Sequence, residues 1–379
     1  MATQPVIVVG DGWAAMGAVG FLVAHGVDVY WLVGSGARVF APTYSLNAAE
    51  GAEVWRTLAT TYHIPLDEPE SGVFLKEFRN KAFRDPLWMK SPLLEERLWG
   101  IQEGLWEPEQ RFVSPQALRF SVSVHEMDEH IRKALIHGQF QNLKRVSGVP
   151  LQGVTVENQR VSGVILGSGE KVPGRHLIYA DRWGLLPGME GLPRPLPFLR
   201  KREAVGVLQV SFRHHPGLQV GISQTFYAPM NREAGDQLER HFWGYFSSDG
   251  KQSVWTFCLS SEEGETNHEI TKKLRKLKSG LDKIFQGSDI IPADQASFVA
   301  TLVDEQVRFE EEAIFAQGVP LCEGAELPSF PGVTFLTDGY GPAFALEQVG
   351  RLVRTHFGID VQRPHPQSES MNLRHPEAV

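Results

Sequence analysis

The sequence has little cysteine and no excess of basic residues. Its 379 residues include two cysteines, Cys258 and Cys322, too few for a disulfide framework or a cysteine-based metal cluster. Lysine and arginine number 37 against 45 aspartates and glutamates, so the formal net charge is −8. A nucleic-acid surface needs an excess of basic residues to neutralise phosphates. We therefore expect a protein of a reducing compartment, cytoplasmic in location, with no nucleic-acid partner.

Long apolar runs are also lacking. The most apolar stretch lies between Val6 and Val33, but Asp11, His25 and Asp28 interrupt it, so we expect no membrane span. The first residues show no basic segment followed by a small-residue cleavage site, so we expect no signal peptide. The composition, 42% hydrophobic and 22% charged, is typical of a folded globular chain. The length predicts two domains.

What the sequence does contain is a glycine-rich turn near its start. The apolar run Val6–Val9 predicts a buried strand, and a helix is predicted over 16–25. Between them, Gly10 allows a tight turn, Gly12 lets the backbone approach a pyrophosphate, and Ala15 permits close packing of helix on strand. The N–H groups at the helix N-terminus favour an anion. We predict that this turn binds a dinucleotide through Gly10, Gly12, Trp13, Ala14 and Ala15.

An acidic residue is missing from the end of the second predicted strand, residues 27–33. Val33 stands where a carboxylate usually accepts hydrogen bonds from the ribose hydroxyls. Losing that acceptor weakens adenosine binding by about 1–3 kcal/mol. Ser35 can bond the ribose instead, and Arg38 can reach a phosphate. The sequence leaves both alternatives open.

The order of elements resembles the amine oxidase, phytoene desaturase and protoporphyrinogen oxidase superfamily of FAD-dependent oxidoreductases, over nearly the whole chain. In that family an Arg-Val-Gly-Gly-Arg stretch after the second strand cradles the FAD phosphates. Here the matching segment, residues 38–44, keeps Arg38, Val39 and Thr43. It departs from the family pattern where the two glycines and the second arginine are replaced, by Phe40, Ala41 and Pro42. The phosphate motif is therefore degenerate.

Further segments are similar to elements of the same family. Residues 176–181 resemble the strand that lies beside the cofactor, and residues 307–315 resemble the stretch that precedes the last FAD contact. Residues 331–338, followed by a predicted helix over 343–357, are similar to the C-terminal flavin motif.

The C-terminal motif has a physical logic of its own. Asp338 stands at a predicted strand end, where its carboxylate can accept a hydrogen bond from a ribityl hydroxyl, and Gly339 allows close backbone approach. Pro342 suits the first turn of a helix. The N–H groups of Ala343 and Phe344 then point toward the flavin C2 carbonyl, where a helix N-terminus stabilises negative charge on reduced flavin. The alternative is an aspartate that only caps the helix.

The resemblance implies an α/β fold class: a Rossmann-like FAD-binding domain with an interleaved α+β substrate domain. We assign the FAD-binding domain to residues 1–60, 140–190 and 320–360, the substrate domain to residues 61–139 and 191–319, and a flexible tail to residues 361–379.

The rest of the chain predicts a mixture of strands and helices. A hairpin turn is expected around residues 157–160, and a helix start is expected at Ser114-Pro within an otherwise irregular segment, 64–120. His214 and His215 read as a surface turn and not as a metal site, because no suitably spaced Asp, Glu or Cys accompanies them. Further helices are predicted over 47–63, 124–136 and 267–285, and further strands over 176–180, 204–213, 224–228, 242–247 and 253–259. No metal is expected.

The leading hypothesis is an amine-oxidase-like FAD-dependent oxidoreductase that takes a hydride from an amine or a similar C–H donor. Its substrate is a small molecule, and the sequence identifies no catalytic residue, since the flavin itself performs the redox step. The alternative is a degenerate, flavin-poor scaffold that binds a ligand or protein partner without turnover. Val33 and the degenerate phosphate motif favour the scaffold, whereas Asp338 and the Gly10 turn oppose it. The hypothesis of an NAD(P) dehydrogenase is weaker, because the C-terminal aspartate and helix have no role in binding nicotinamide.

Overall fold

The structure is a computed structural model. The structure describes residues 4–34, 45–46, 49–66, 70–72, 75–79, 82–84, 117–119, 124–138, 140–181, 183–192, 200–201, 205–219, 225–229, 241–246, 249–259, 266–285, 299–310, 313–314, 331–336 and 342–361.

A parallel sheet joins the beginning of the chain to its end. In spatial order its five strands are β20 (Val333–Phe335), β12 (His176–Tyr179), β1 (Val6–Val9), β2 (Val29–Val33) and β8 (Leu143–Ser147). Every adjacent pair is parallel. Along β1 the side chains alternate: Val6 and Val8 face the larger hydrophobic core, while Ile7 and Val9 face a second core. Burial on both faces explains why β1 is an unbroken apolar run.

One face of this sheet is covered by helices. They are α1 (Trp13–Ala24), α2 (Ala49–Thr61), α3 (Val124–His137) and α5 (Pro342–Phe357). Every residue of α1 is buried, as expected for a helix enclosed by neighbours on all sides. The sequence groups α3 with the substrate domain, yet Met127, Ile131 and Leu135 pack into the larger core beside α1. The domain boundaries stay a prediction.

The other face is covered by a small antiparallel sheet. It consists of β9 (Leu151–Glu157), β10 (Arg160–Leu166) and β11 (Lys171–Pro173). Asn158 and Gln159 form the turn between the first two strands with φ of 50° and 62°, the positive values that a two-residue hairpin of matching twist requires. The predicted hairpin is confirmed.

A second large sheet carries one long helix. In spatial order its seven strands are β18 (Val299–Glu310), β14 (Val205–His215), β17 (Gln252–Leu259), β16 (His241–Phe246), β15 (Thr225–Pro229), β5 (Leu75–Arg79) and β6 (Ala82–Arg84). Helix α4 (Asn267–Phe285) has the predicted bounds. Leu277 and Leu281 of α4 share a buried core with Leu208, Phe246 and Trp255 of the sheet.

Smaller elements complete the described chain. They are β3 (Ser45–Leu46), β4 (Glu70–Gly72) and β7 (Ala117–Arg119) in one sheet, β13 (Arg200–Lys201) and β19 (Ala313–Ile314) in another, and a 3-10 helix over Trp183–Gly188. The mixed α/β class with a parallel sheet is confirmed, whereas the interleaved substrate domain stays a prediction. Among the described residues, no helix is long and apolar enough to cross a membrane.

Two sequence predictions are wrong where the structure describes the chain. Within the segment 64–120, which the sequence predicts to be irregular, the described residues after 66 form strands. The helix start at Ser114-Pro fails, because β7 follows immediately and pairs with both β3 and β4. Such short strands carry too few residues for a periodic signal. The whole of β18 was also missed, although it pairs along the full length of β14.

The prediction of a surface turn at His214 and His215 is wrong for the first of them. His214 is a buried residue of β14, and its Nε2 lies 2.6 Å from the Ser253 hydroxyl oxygen. Its ring contacts those of Phe212 and Phe285. In the described part of the chain, no group of three metal-ligating side chains occurs.

Burial of two histidines predicts acid sensitivity. Burial lowers the pKa of His214 to about 4, and burial together with neighbouring cations lowers the pKa of His176 to about 3. The unfolded chain therefore binds protons below about pH 6.5 that the folded chain does not bind, so stability is lost as pH falls through this window. We expect the free energy of unfolding to fall by about 2 kcal/mol for each histidine between pH 7 and pH 4.5.

Urea denaturation at a series of pH values measures this loss. His214→Asn should flatten the dependence by about one proton. The control His63→Asn changes an exposed histidine with φ of 55°, which asparagine tolerates, and should leave the dependence unchanged. Equal slopes for the wild type and His214→Asn would refute the assignment to His214.

Candidate functional site

The two predicted cofactor motifs meet at one edge of the parallel sheet. Because β1 and β20 run in parallel, their carboxyl ends lie at the same edge. Helix α1 follows β1, and α5 is the next described element after β20, so both helices begin there. The helices also pack closely: a Cβ at Gly17 would lie 3.3 Å from Leu346 and 3.4 Å from Val349. Ligands of open α/β sheets bind at this edge, outside the strand carboxyl ends.

Gly10 is required by the fold itself. Its φ is +127°, and a Cβ there would lie 2.3 Å from the carbonyl oxygen of Ala180. Its N–H donates to the Leu32 carbonyl at 2.9 Å, and its own carbonyl accepts from Trp31 Nε1 at 2.8 Å. The turn is thereby fixed between the ends of β12 and β2, and no larger residue fits.

Gly12 differs from Gly10 in its backbone conformation. It caps α1 with φ −86° and ψ −174°, an extended conformation open to any residue, and has no side-chain cap. The backbone torsions therefore do not require glycine at this position. The predicted site residues Trp13, Ala14 and Ala15 form the first helical turn and are buried. Their backbone lies where the anion-binding end of a dinucleotide-binding helix is expected.

A carboxylate lies at the end of β2, although the strand itself carries none. Val33 packs against the larger core. Beside it, a Cβ at Gly34 would lie 2.9 Å from Oδ2 of Asp181. Asp181 follows β12, on the other side of β1, so its side chain reaches across the Gly10 turn. Burial, and to a lesser degree the Asp181 carboxylate, raises the pKa of Tyr179 far above its ordinary value.

A guanidinium group lies on the glycine-rich turn. Arg132 of α3 donates a hydrogen bond from Nη2 to the carbonyl oxygen of Asp11. Its Nε is 2.7 Å from Oδ2 of Asp128, one helical turn earlier, and its side chain is 22% exposed. The edge thus combines a helix N-terminus, a partly exposed cation and a carboxylate. This set can hold an anionic phosphate together with a hydroxyl-bearing sugar.

Sequence reasoning missed this role for Asp181 and missed Arg132 altogether. The sequence signals for Asp181 were its place after a buried strand and the resemblance of residues 176–181 to the strand that lies beside the cofactor. Arg132 gave none, because it lies 121 residues from Asp11.

For the other predicted site residues, the structure describes either nothing or the backbone alone. Ser35, Arg38, Asp338 and Gly339 lie outside the described residues, as do Phe40, Ala41 and Pro42. The backbone of Pro342, Ala343 and Phe344 lies in the first turn of α5. Their contacts with a cofactor stay predictions.

The sequence matches no protein-family model and no curated protein. Among solved structures it is similar to an oxidoreductase from Methanosarcina mazei, with a TM-score of 0.59 and 12% identity over 91% of this chain and 99% of that chain. It is also similar to an L-amino acid deaminase from Proteus vulgaris, with a TM-score of 0.55 and 14% identity over 96% and 91%. A third is the myxobacterial halogenase CndH, a variant of the FAD-dependent halogenases, with a TM-score of 0.53 and 12% identity over 97% and 78%.

At these identities the similarity shows the fold, which this chain shares with oxidoreductases and FAD-dependent enzymes. The similar structures do not single out the amine oxidase superfamily, so that finer resemblance stays a prediction.

Proposed function

We propose that this chain is an FAD-dependent oxidoreductase. The observation that carries the proposal is the convergence at one sheet edge of the Gly10 turn, the N-terminus of α1 and the N-terminus of α5. These elements come from opposite ends of the chain, and a nicotinamide site would not need the second of them. FAD is the cofactor that this pair of elements fits.

Different residues of the site hold the pyrophosphate, the adenosine ribose and the isoalloxazine of FAD. Gly12 and the N-terminus of α1 receive the pyrophosphate, with Arg132 beside them to balance its charge. Asp181 accepts hydrogen bonds from the adenosine ribose in place of the missing acid of β2. The first turn of α5, preceded by Asp338, receives the isoalloxazine end. When bound, the flavin supplies the hydride acceptor.

The finer proposal is that the hydride comes from an amine or a similar C–H donor. It is supported by the resemblance to amine oxidases and by the L-amino acid deaminase among the structures of similar fold. The substrate then lies on segments 61–139 and 191–319, which we propose as the substrate domain. Anaerobic mixing of the FAD-loaded protein with amines and amino acids tests this step, since hydride transfer bleaches the flavin absorbance.

A second candidate function is the flavin-poor scaffold. Phe40, Ala41 and Pro42 favour it, because they replace the residues that cradle phosphates in the resembled family. The absorbance spectrum of the purified protein and an FAD titration separate the two. A scaffold shows neither bound flavin nor saturable FAD binding.

Gly12→Ala tests the proposed position of the pyrophosphate. Its backbone torsions are open to alanine, whereas an added methyl group keeps a phosphate from the backbone. We expect FAD to bind about tenfold more weakly or worse, with the melting temperature changed by no more than a few degrees. Titration of the apo-protein with FAD, and with FMN as a ligand that lacks the AMP half and therefore the pyrophosphate, measures the effect. Unchanged FAD affinity in Gly12→Ala would exclude this position.

A further inference from the structure

A second concave site lies at the opposite edge of the parallel sheet. It is a cleft of about 250 Å³ lined by Arg160, Arg175, His176, His356 and Phe357. These residues come from the start of β10, the start of β12 and the last turn of α5. The cleft therefore opens at the amino ends of the parallel strands, whereas the proposed FAD site lies at their carboxyl ends.

The floor of the cleft is a fixed polar pair. His176 is buried, and its Nε2 lies 2.9 Å from the hydroxyl oxygen of Thr334, which is fully buried on β20. The His356 ring lies over it, with 5.2 Å between the ring centroids. Phe357 meets His176 edge to face at 5.9 Å. These contacts hold one imidazole in place beneath the opening.

Two arginines enter the cleft from separate elements. The Arg160 side chain crosses the turn before β20, where a Cβ at Gly332 would lie 2.9 Å from its Cγ and 3.2 Å from its Nε. Because Gly332, with φ +87°, has no side chain, it leaves room for the Arg160 side chain. Arg175 stands immediately before β12, with its guanidinium carbon 6.0 Å from the Phe357 ring centre, a cation–π distance.

The cleft concentrates positive charge in a chain whose net charge is −8. Burial, and then His356, Arg160 and Arg175, lower the pKa of His176 to about 3, so this imidazole is neutral near pH 7. The C-terminus of α5 favours nearby cations. It does not account for Arg160 and Arg175, which lie on the small sheet and before β12. A cluster of this kind attracts a multivalent anion.

We propose that this cleft binds a compact oxyanion, the phosphate group of a small molecule or free inorganic phosphate. Two guanidinium groups provide the paired donors that phosphate oxygens accept in bidentate fashion. A tetrahedral anion occupies only part of about 250 Å³, which leaves room for a small substituent. The proposal does not depend on FAD, since none of its residues lies at the other edge of the sheet.

Titration with inorganic phosphate at constant ionic strength tests the site, with heat and the imidazole NMR signals of His176 and His356 as readouts. We expect saturable binding that moves both imidazole signals. Arg175→Gln and Arg160→Gln should each weaken it about tenfold. Lys171→Gln removes an exposed charge on the neighbouring β11 and should change the affinity less than twofold. FAD affinity should be the same in all of these variants.

Three results would overturn the proposal: no saturable binding by the wild type, imidazole signals that do not move, or equal weakening by Lys171→Gln. If Arg160→Gln fails to fold, Arg175→Gln still decides, because Arg175 is exposed. Binding of glycerol phosphate more tightly than phosphate would assign the ligand to a phosphorylated small molecule. Tighter binding of phosphate would assign it to the free anion.

Discussion

Alanine at position 10 is expected to destabilise the fold by about 3–5 kcal/mol, a value at the upper end for single substitutions. At φ +127° an L-residue is strained, and the added Cβ would lie 2.3 Å from the Ala180 oxygen and 2.7 Å from the Ala180 carbonyl carbon. Both atoms belong to backbone that cannot rotate away. Relief requires β1 and β12 to separate where the Ala180 N–H donates to the Val9 carbonyl at 2.8 Å. Urea denaturation of Gly10→Ala measures the loss.

Gly26→Ala is the matched control for this experiment. Gly26 follows α1 with φ +72°, and a Cβ there would meet no atom within 4 Å. The substitution therefore carries backbone strain without the clash and should cost about 1–2 kcal/mol. Similar losses for Gly10→Ala and Gly26→Ala would mean that the close approach of β12 contributes nothing.

Asp181→Asn is expected to weaken FAD binding roughly tenfold or more, with little change in melting temperature. The substitution preserves shape but removes the charge that lies against Gly34 at the end of β2. A hydrogen bond from a ribose hydroxyl to a carboxylate is stronger than one to an amide. Titration of the apo-proteins with FAD and with FMN checks the result, because only FAD carries the adenosine ribose.

Asp28→Asn serves as the control, since it makes the same change of charge just before β2, at the opposite edge of the sheet. It should leave FAD affinity unaltered. If the wild type binds FAD and Asp181→Asn binds it equally well, Asp181 has no part in the site. If the wild type does not bind FAD at all, the proposed function itself fails.

These two experiments separate the roles of neighbouring groups. Gly10 is a requirement of the fold, set by the distance between two backbones. We expect Asp181 to be required for FAD binding, because its carboxylate lies against Gly34 at the end of β2. A sequence motif that names only the glycines does not distinguish a residue that the fold needs from one that the cofactor needs.

The position of Asp181 also changes the interpretation of the acidic residue that is missing from the end of β2. From sequence, Val33 reads as the loss of a ribose-binding group. In the fold, Asp181 brings a carboxylate to Gly34, the residue after Val33. The edge therefore retains a negative acceptor, supplied by a different strand. The degenerate segment at Phe40, Ala41 and Pro42 lies outside the described residues.

The sequence by itself determined the local elements. The β-α-β unit at the start, the hairpin around Asn158 and the bounds of α4 followed from apolar periodicity, turn residues and helix ends, which are properties of neighbouring residues. Strands of two or three residues, such as β3 and β7, could not be predicted from the sequence, because so short a segment forms only where a partner strand supplies its hydrogen bonds.

Only the tertiary structure decided which distant groups share an edge of the sheet. It brought Asp181 across the Gly10 turn to Gly34, Arg132 to the carbonyl of Asp11, and Arg160 and Arg175 into one cleft. The order of the parallel strands fixes the first of these meetings, since it places β12, β1 and β2 side by side. The packing of α3 on one face of the sheet and of the small sheet on the other fixes the second and third. That order is set by the burial of both faces of the sheet and by crossover connections many residues long, which no local pattern encodes.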